Sequence, residues 1–155
     1  MLQLTKRTEY GLIALVHMVD RRGDYVSARE IGDTYQVPRR LLAEVLKDLA
    51  RAELVDSQRG AAGGYALIRP AEEITVGEVV AALEGAPKLA SCETLESSSA
   101  GGECDLEPSC PIRSPLQRIR EGIWLQMQRT TLRSLVEPAF HITNLEHVDP
   151  ESTLI

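Results

Sequence analysis

Residues 26–68 read VSAREIGDTYQVPRRLLAEVLKDLARAELVDSQRGAAGGYALI, and this stretch decides the fold. Ser27 and Glu30 have the spacing of a capping box, in which the serine oxygen accepts from the N3 amide and the glutamate reaches back. They predict a short helix over 28–34. Tyr35 to Val37 is a turn. Pro38 suits the first position of a second helix, where a missing N–H leaves nothing unsatisfied. That helix runs to Ala52, with Leu42, Val45, Leu46 and Leu49 on its apolar face. Arg39, Arg40, Ala43, Glu44, Lys47 and Arg51 turn outward. Two helices joined by a tight turn make a helix-turn-helix. Residues 54–58 and 65–68 then read as strands joined by RGAAGG, a hairpin with a glycine-rich tip. A hairpin placed directly after a helix-turn-helix is a wing.

The flanks extend this pattern. Residues 5–21 form a helix that is apolar over more than one face, which predicts burial on most sides. Pro70 ends the second strand. Thr75 and Glu78 make a second capping box, opening a helix that stops at Gly85. Residues 86–113 are rich in Gly, Ser and Pro and show no apolar periodicity. Ser114 to Gln117, with Pro115 at the first position, caps a long helix that ends ahead of Pro138. At 1.5 Å per residue it spans roughly 30 Å. Leu116, Ile119, Ile123 and Met127 line one side of it, and such a stripe beyond the core calls for a second copy of the chain. The expected fold is mostly α with a small β-hairpin wing: a winged helix-turn-helix plus a long C-terminal dimerisation helix. The expected divisions are a DNA-binding domain at 1–85, a cysteine-bearing loop at 86–113, the dimerisation helix at 114–137 and a flexible tail at 138–155.

Of the 155 residues, 43% are hydrophobic but only 4% aromatic, so the core is built from Leu, Ile, Val and Ala. The formal net charge is −6, divided as +2 over residues 1–70 and −8 over residues 71–155. Contact with nucleic acid must therefore come from the first half. There, Arg39 and Arg40 open the second helix of the helix-turn-helix, whose N-terminal residues reach bases and phosphates. Lys47 lies on its outward face. Arg59 and Gly60 tip the wing, where an arginine can enter a narrow minor groove. The expected partner is a double-stranded DNA operator. No apolar run approaches the roughly 20 residues of a membrane span, and the start lacks the apolar region of a signal peptide, so a cytoplasmic location is expected. No nucleophile–base pair or phosphate loop is present, and RGAAGG is not a Walker motif. An enzyme is not expected.

The chain has three cysteines, Cys92, Cys104 and Cys110, all within the polar loop. Three thiols cannot pair off without leaving one over. Three thiolates plus one further ligand can hold a zinc ion or an iron–sulfur cluster. The residues themselves leave both open. They also leave two functional readings: a DNA-binding protein controlled by what its loop holds, and a protein-interaction module with structural zinc. Arg39, Arg40 and Arg59 favour DNA.

LTKRTEYGLIAL near the N-terminus, VSAREIGDTYQVPRRLLAEVLKDLARAELV, the wing RGAAGGYALIRP and EEITVGEVVAALEG together resemble the Rrf-type winged-helix transcription regulators, which include iron–sulfur cluster and nitrite-sensitive regulators. The resemblance covers roughly residues 2–137. It implies a homodimer with crossed long helices, an iron–sulfur cluster (2Fe–2S or 4Fe–4S) and DNA binding set by cluster state. The cluster would sense redox poise, nitric oxide, or iron and cluster supply, and the protein would act as a repressor. Cys104 and Cys110 keep the family's five-residue gap, whereas eleven residues separate Cys92 from Cys104. Some members use a His three positions after the third Cys as fourth ligand; here that residue is Arg113, which cannot ligate. Glu9 matches an N-terminal position where other members supply a carboxylate. His17, His141, His147, Asp105 and Glu107 are the other candidates, with His17 reading as a core or interface residue. Ala43 replaces a carboxylate that some members carry on the recognition helix.

Overall fold

The computed structural model describes residues 4–21, 23–60, 63–85 and 111–137. Within them the elements run α1 (Lys6–Met18), α2 (Ala28–Tyr35), α3 (Arg39–Arg51), β1 (Val55–Gln58), β2 (Gly64–Leu67), α4 (Val76–Leu83), α5 (Arg113–Arg129) and α6 (Leu132–Val136). α2 and α3 form the helix-turn-helix. β1 and β2 pair antiparallel with Val55 opposite Leu67 and Gln58 opposite Gly64, which makes the wing. Val26 adds a single antiparallel bridge, exchanging two 2.9 Å hydrogen bonds with Tyr65. The wing is thereby fastened to the segment that leads into α2.

Local chemistry explains the helix ends. Ser27 Oγ caps α2 by accepting from the Glu30 amide at 3.1 Å. The reciprocal half of that box is replaced: the Glu30 carboxylate pairs with Arg21 and lies 3.3 Å from His17 Nε2. Gln36 takes the left-handed conformation (φ 55°) that ends α2. Pro38 is the cap of α3 rather than its first helical residue. At α4 the box is complete, with Thr75 Oγ1 accepting from the Glu78 amide at 3.1 Å and Glu78 accepting from the Thr75 amide at 2.7 Å.

The core sits between α1, α3 and α4. Leu15, Met18, Ile31, Leu42, Leu46, Leu49 and Ile74 are all fully buried in it. The four inward residues expected on the recognition helix are each at 0% exposure. On α1, Thr8, Gly11, Ala14, Leu15 and Met18 are buried, while Leu12, Ile13 and Val16 are half-buried.

The C-terminal helix departs from the sequence reading twice. It starts at Arg113 with Ile112 as its cap, so Ser114 lies inside the helix and accepts from Arg118 Nη1 at 3.3 Å instead of capping. It also breaks at Thr130–Thr131 into α5 and α6 rather than running on to residue 136. Thr130 and Thr131 are both extended. Thr130 donates its hydroxyl back to the Gln126 carbonyl at 2.9 Å, and Thr131 Oγ1 caps α6 by accepting from the Ser134 amide at 3.2 Å. The freed backbone pairs with the segment before α4: Val76 N donates to Thr130 O, and Leu132 N to Ile74 O, both at 2.8 Å. Helical hydrogen bonds are thus exchanged for bonds to a distant segment, and Leu132 drops into the core at 0% exposure. Uninterrupted α5 is about 25 Å long. Arg133 secures the turn with Asp20 at 2.8 Å and Glu72 at 3.6 Å.

Two predictions follow from these anchors. Leu132→Ala removes a fully buried side chain at the point where the C-terminal segment returns to the core. It should lower unfolding free energy by roughly 2–5 kcal/mol in denaturant titrations. The second concerns acid. Burial alone would raise the Glu78 carboxyl, but hydrogen bonds from Arg69 and Thr75 outweigh it and hold its pKa below the ordinary 4.5. The stabilisation is complete above about pH 4.5 and fades as pH falls through the lower folded value. Glu78→Gln should flatten this part of the stability–pH curve, as read from melting midpoints.

Candidate nucleic-acid interface

The outer face of α3 follows from its inner one. With Leu42, Val45, Leu46 and Leu49 inward, Arg40, Glu44, Lys47 and Arg51 fall in one exposed row at helical spacing. Arg40 is 95% exposed and lies 3.6 Å from Glu44. Lys47 is exposed and makes no ion pair with another described residue. The chain leaves α3 through Glu53, in the left-handed conformation, straight into β1. Arg59 stands exposed at the end of that strand, followed by Gly60 at φ 115°, a backbone angle that favours glycine. The two elements that would probe DNA are therefore consecutive in the chain, with their cations facing solvent.

Arg39 differs from its neighbours. Its Nη2 donates to Asp33 Oδ1 of α2 at 2.6 Å, and Arg29 Nε lies 3.6 Å from the other oxygen. Arg39's own hydrogen bond comes first among the causes that hold the Asp33 carboxyl below its ordinary pKa, ahead of the opposing effect of burial. The i, i+4 spacing of Arg29 and Asp33 was readable in the sequence. The Asp33–Arg39 pair, which crosses the turn, was not.

α1 is joined to this interface by side chains that the sequence did not single out. Arg7 pairs with Asp48 of α3, whose other oxygen accepts from Arg51 Nη1 at 2.7 Å. His17 Nδ1 lies 3.0 Å from the Tyr35 hydroxyl, and the two rings meet edge-on at 5.4 Å. The histidine expected to be a core or interface residue is a contact between α1 and α2. Thr5, the cap of α1, bonds Glu84 at the end of α4 through its amide (2.8 Å) and hydroxyl (2.6 Å). Burial would raise the Glu84 carboxyl, but the hydrogen bonds from Thr5 hold it below the ordinary value.

Glu9 lies in the first turn of α1, partly exposed and paired with Lys6. Cys92, Cys104 and Cys110 lie outside the described residues, as do Asp105, Glu107, His141 and His147. Among the described residues, no three His, Cys, Asp or Glu side chains converge on a metal-sized site.

A winged helix followed by a long helix is the frame of one group of regulators. Residues 4–138 match the Rrf2 family, described as iron-dependent transcriptional regulators. The chain belongs to the Rrf2 family. Members of this family are DNA-binding transcription regulators, not enzymes. CymR, the global cysteine regulator of B. subtilis, is 27% identical with a TM-score of 0.67, over 87% of this chain and 96% of that one. CymR of Staphylococcus aureus is also 27% identical, with a TM-score of 0.66, over 87% and 98%. IscR of T. potens, at 24% identity and a TM-score of 0.66 over 86% and 85%, shares the fold. No described helix is long and apolar enough to cross a membrane.

The Rrf2 frame makes the exposed cations testable as phosphate contacts. Arg59→Ala and Arg40→Ala should each weaken operator binding and lower the slope of log affinity against log salt by about one. Fluorescence anisotropy at several salt concentrations measures this; an unchanged slope for Arg59→Ala would remove the wing contact.

Proposed function

We propose that this Rrf2 regulator is a cytoplasmic homodimeric repressor whose operator affinity is set by an iron–sulfur cluster, 2Fe–2S or 4Fe–4S. Cys92, Cys104 and Cys110 would hold the cluster, and Glu9 would complete the ligand set. Three thiolates and one carboxylate suit a cluster with one weak corner, since a hard oxygen binds soft iron–sulfur less firmly than thiolate. When bound, such a cluster supplies a charge and ligand set that respond to redox poise, nitric oxide or iron supply.

The observation that supports the reading most is the attachment of α1 to the recognition helix. Glu9 sits on α1 and, among the described residues, pairs with Lys6 at the surface, where solvent screens the contact. Its carboxylate is therefore available to a stronger claim. Two residues earlier, Arg7 grips Asp48 on α3, and α1 packs directly on Val45 and Leu49 at Gly11. A pull on Glu9 would tilt α1, and α3 would have to follow.

The dimer would form through α5. No residue of α5 is fully buried, and Ile119 is 54% exposed between half-buried Leu116, Ile123 and Met127. These four fall on one stripe, beside the face that meets α4, and a second copy would cover it. The operator contacts would be Arg39, Arg40, Lys47, Arg59 and the backbone at Gly60.

A second reading draws on the likeness to CymR: the same frame would answer to a sulfur compound without a cluster. Anaerobic purification with iron and sulfide analysis separates the two. Brown protein containing iron and sulfide is expected. Colourless protein that still binds DNA would favour the second reading, and zinc in place of iron would favour a structural site. Cys104→Ala and Cys110→Ala should abolish the visible absorbance, and Cys92→Ala, across the long gap, should weaken it. Glu9→Ala should keep a cluster that bleaches faster in air, and should bring the loaded and apo operator affinities close together. Full iron retention in Cys110→Ala would overturn the ligand assignment.

A further inference from the structure

Arg39 is held at both ends. Its stem crosses Gly32 of α2: a Cβ at that glycine would stand 3.2 Å from Arg39 Cγ and 3.2 Å from the Val37 carbonyl oxygen. Its head donates to Asp33 at 2.6 Å. Arg40, the next residue, is 95% exposed and only 3.6 Å from a surface glutamate. Two adjacent arginines at the tip of one recognition helix are therefore prepared differently, one fixed and one loose.

The difference has a chemical consequence. A loose arginine gains most from a phosphate, which offers charge in any orientation. A carboxylate bonded to an arginine offsets part of its charge, so a phosphate gains less from Arg39 than from Arg40. Its planar head still carries N–H donors: five in all, of which one goes to Asp33. A neutral base edge rich in acceptors suits that arrangement. The O6 and N7 of guanine form the edge that a planar guanidinium fork matches in the major groove. The hydrogen bond from Arg39 keeps Asp33 ionised, and Arg29 on its second oxygen leaves the cluster with one excess positive charge.

We infer that Asp33 is a specificity-determining residue that positions Arg39 to read a guanine in each operator half-site, while Arg40 serves the backbone. This rests on the reading that the tip of α3 enters the major groove.

The test uses the full chain and selection of bound duplexes from a random-sequence library. Wild-type protein should enrich a guanine at one fixed position of each half-site. Asp33→Asn, with a melting temperature near wild type, should bind DNA with equal or higher overall affinity but lose discrimination at that position by about tenfold or more. Its salt slope should steepen by about one as Arg39 turns to a phosphate. Arg39→Ala should lose the same preference, and the double variant should lose no more than either. Asp33→Glu, which keeps the carboxylate, should retain the preference. Wild-type discrimination in Asp33→Asn would overturn the inference, as would a loss spread evenly over all positions with an unchanged salt slope. Wild-type protein that selects no sequence at all would instead overturn the reading of α3 on which it rests.

Discussion

The close crossing of α1 with α3 and α4 depends on a side chain that is missing. At Gly11 a Cβ would stand 2.7 Å from Leu83 Cδ1, 3.4 Å from Val45 Cγ1 and 3.8 Å from Leu49 Cδ1. α1, α3 and α4 meet there without space between them. Close-packed interiors do not deform smoothly; a shift at one contact is passed to the next. α1 is therefore in direct van der Waals contact with α3 at this crossing. The same close approach recurs at Gly77, where a Cβ would meet the Gln128 side chain at 2.7 Å, and it seats α5 on α4.

Around this apolar crossing the polar contacts set direction rather than strength. Arg7–Asp48 joins α1 to α3, His17 and Glu30 join α1 to α2, and Thr5–Glu84 joins α1 to the end of α4. Partly exposed pairs of this kind are each worth about 0–1 kcal/mol. The buried leucines, valines and isoleucines supply the bulk of the stability. The pairs instead select one arrangement of α1, and each of its three neighbours reports on it. Glu84 also marks where the chain departs toward its cysteines, so the N-terminus of α1 and the start of that segment are neighbours by hydrogen bond.

The charge pattern divides the labour in the same way. The net charge of −6 divides along the chain as +2 over residues 1–70, which hold α3 and the wing, and −8 over residues 71–155. Three acids of α2 and α3 are paired: Asp33 with Arg29 and Arg39, Glu44 with Arg40, Asp48 with Arg7 and Arg51. Each pair lowers the local field while leaving most of the guanidinium donors free. Lys47 and Arg59 supply the unbalanced charge.

Much of this protein was legible in its sequence because the signals are local. Thr75 with Glu78, Ser27 at its helix, the inward row Leu42, Val45, Leu46 and Leu49, and the glycine-tipped hairpin all express interactions between residues a few positions apart. Those interactions set the helix-turn-helix, the wing and the solvent face of the recognition helix. The three cysteines set the chemistry the loop can offer. Tertiary structure alone decided where the last helix breaks, because Thr130 and Thr131 leave it only when residues 74–76 are there to accept and donate in its place. It also decided that Glu30 abandons its own cap for Arg21 and His17, and that Arg39 reaches back to Asp33. In each case the competing partner comes from another element, and only packing brings its hydrogen-bonding group within range.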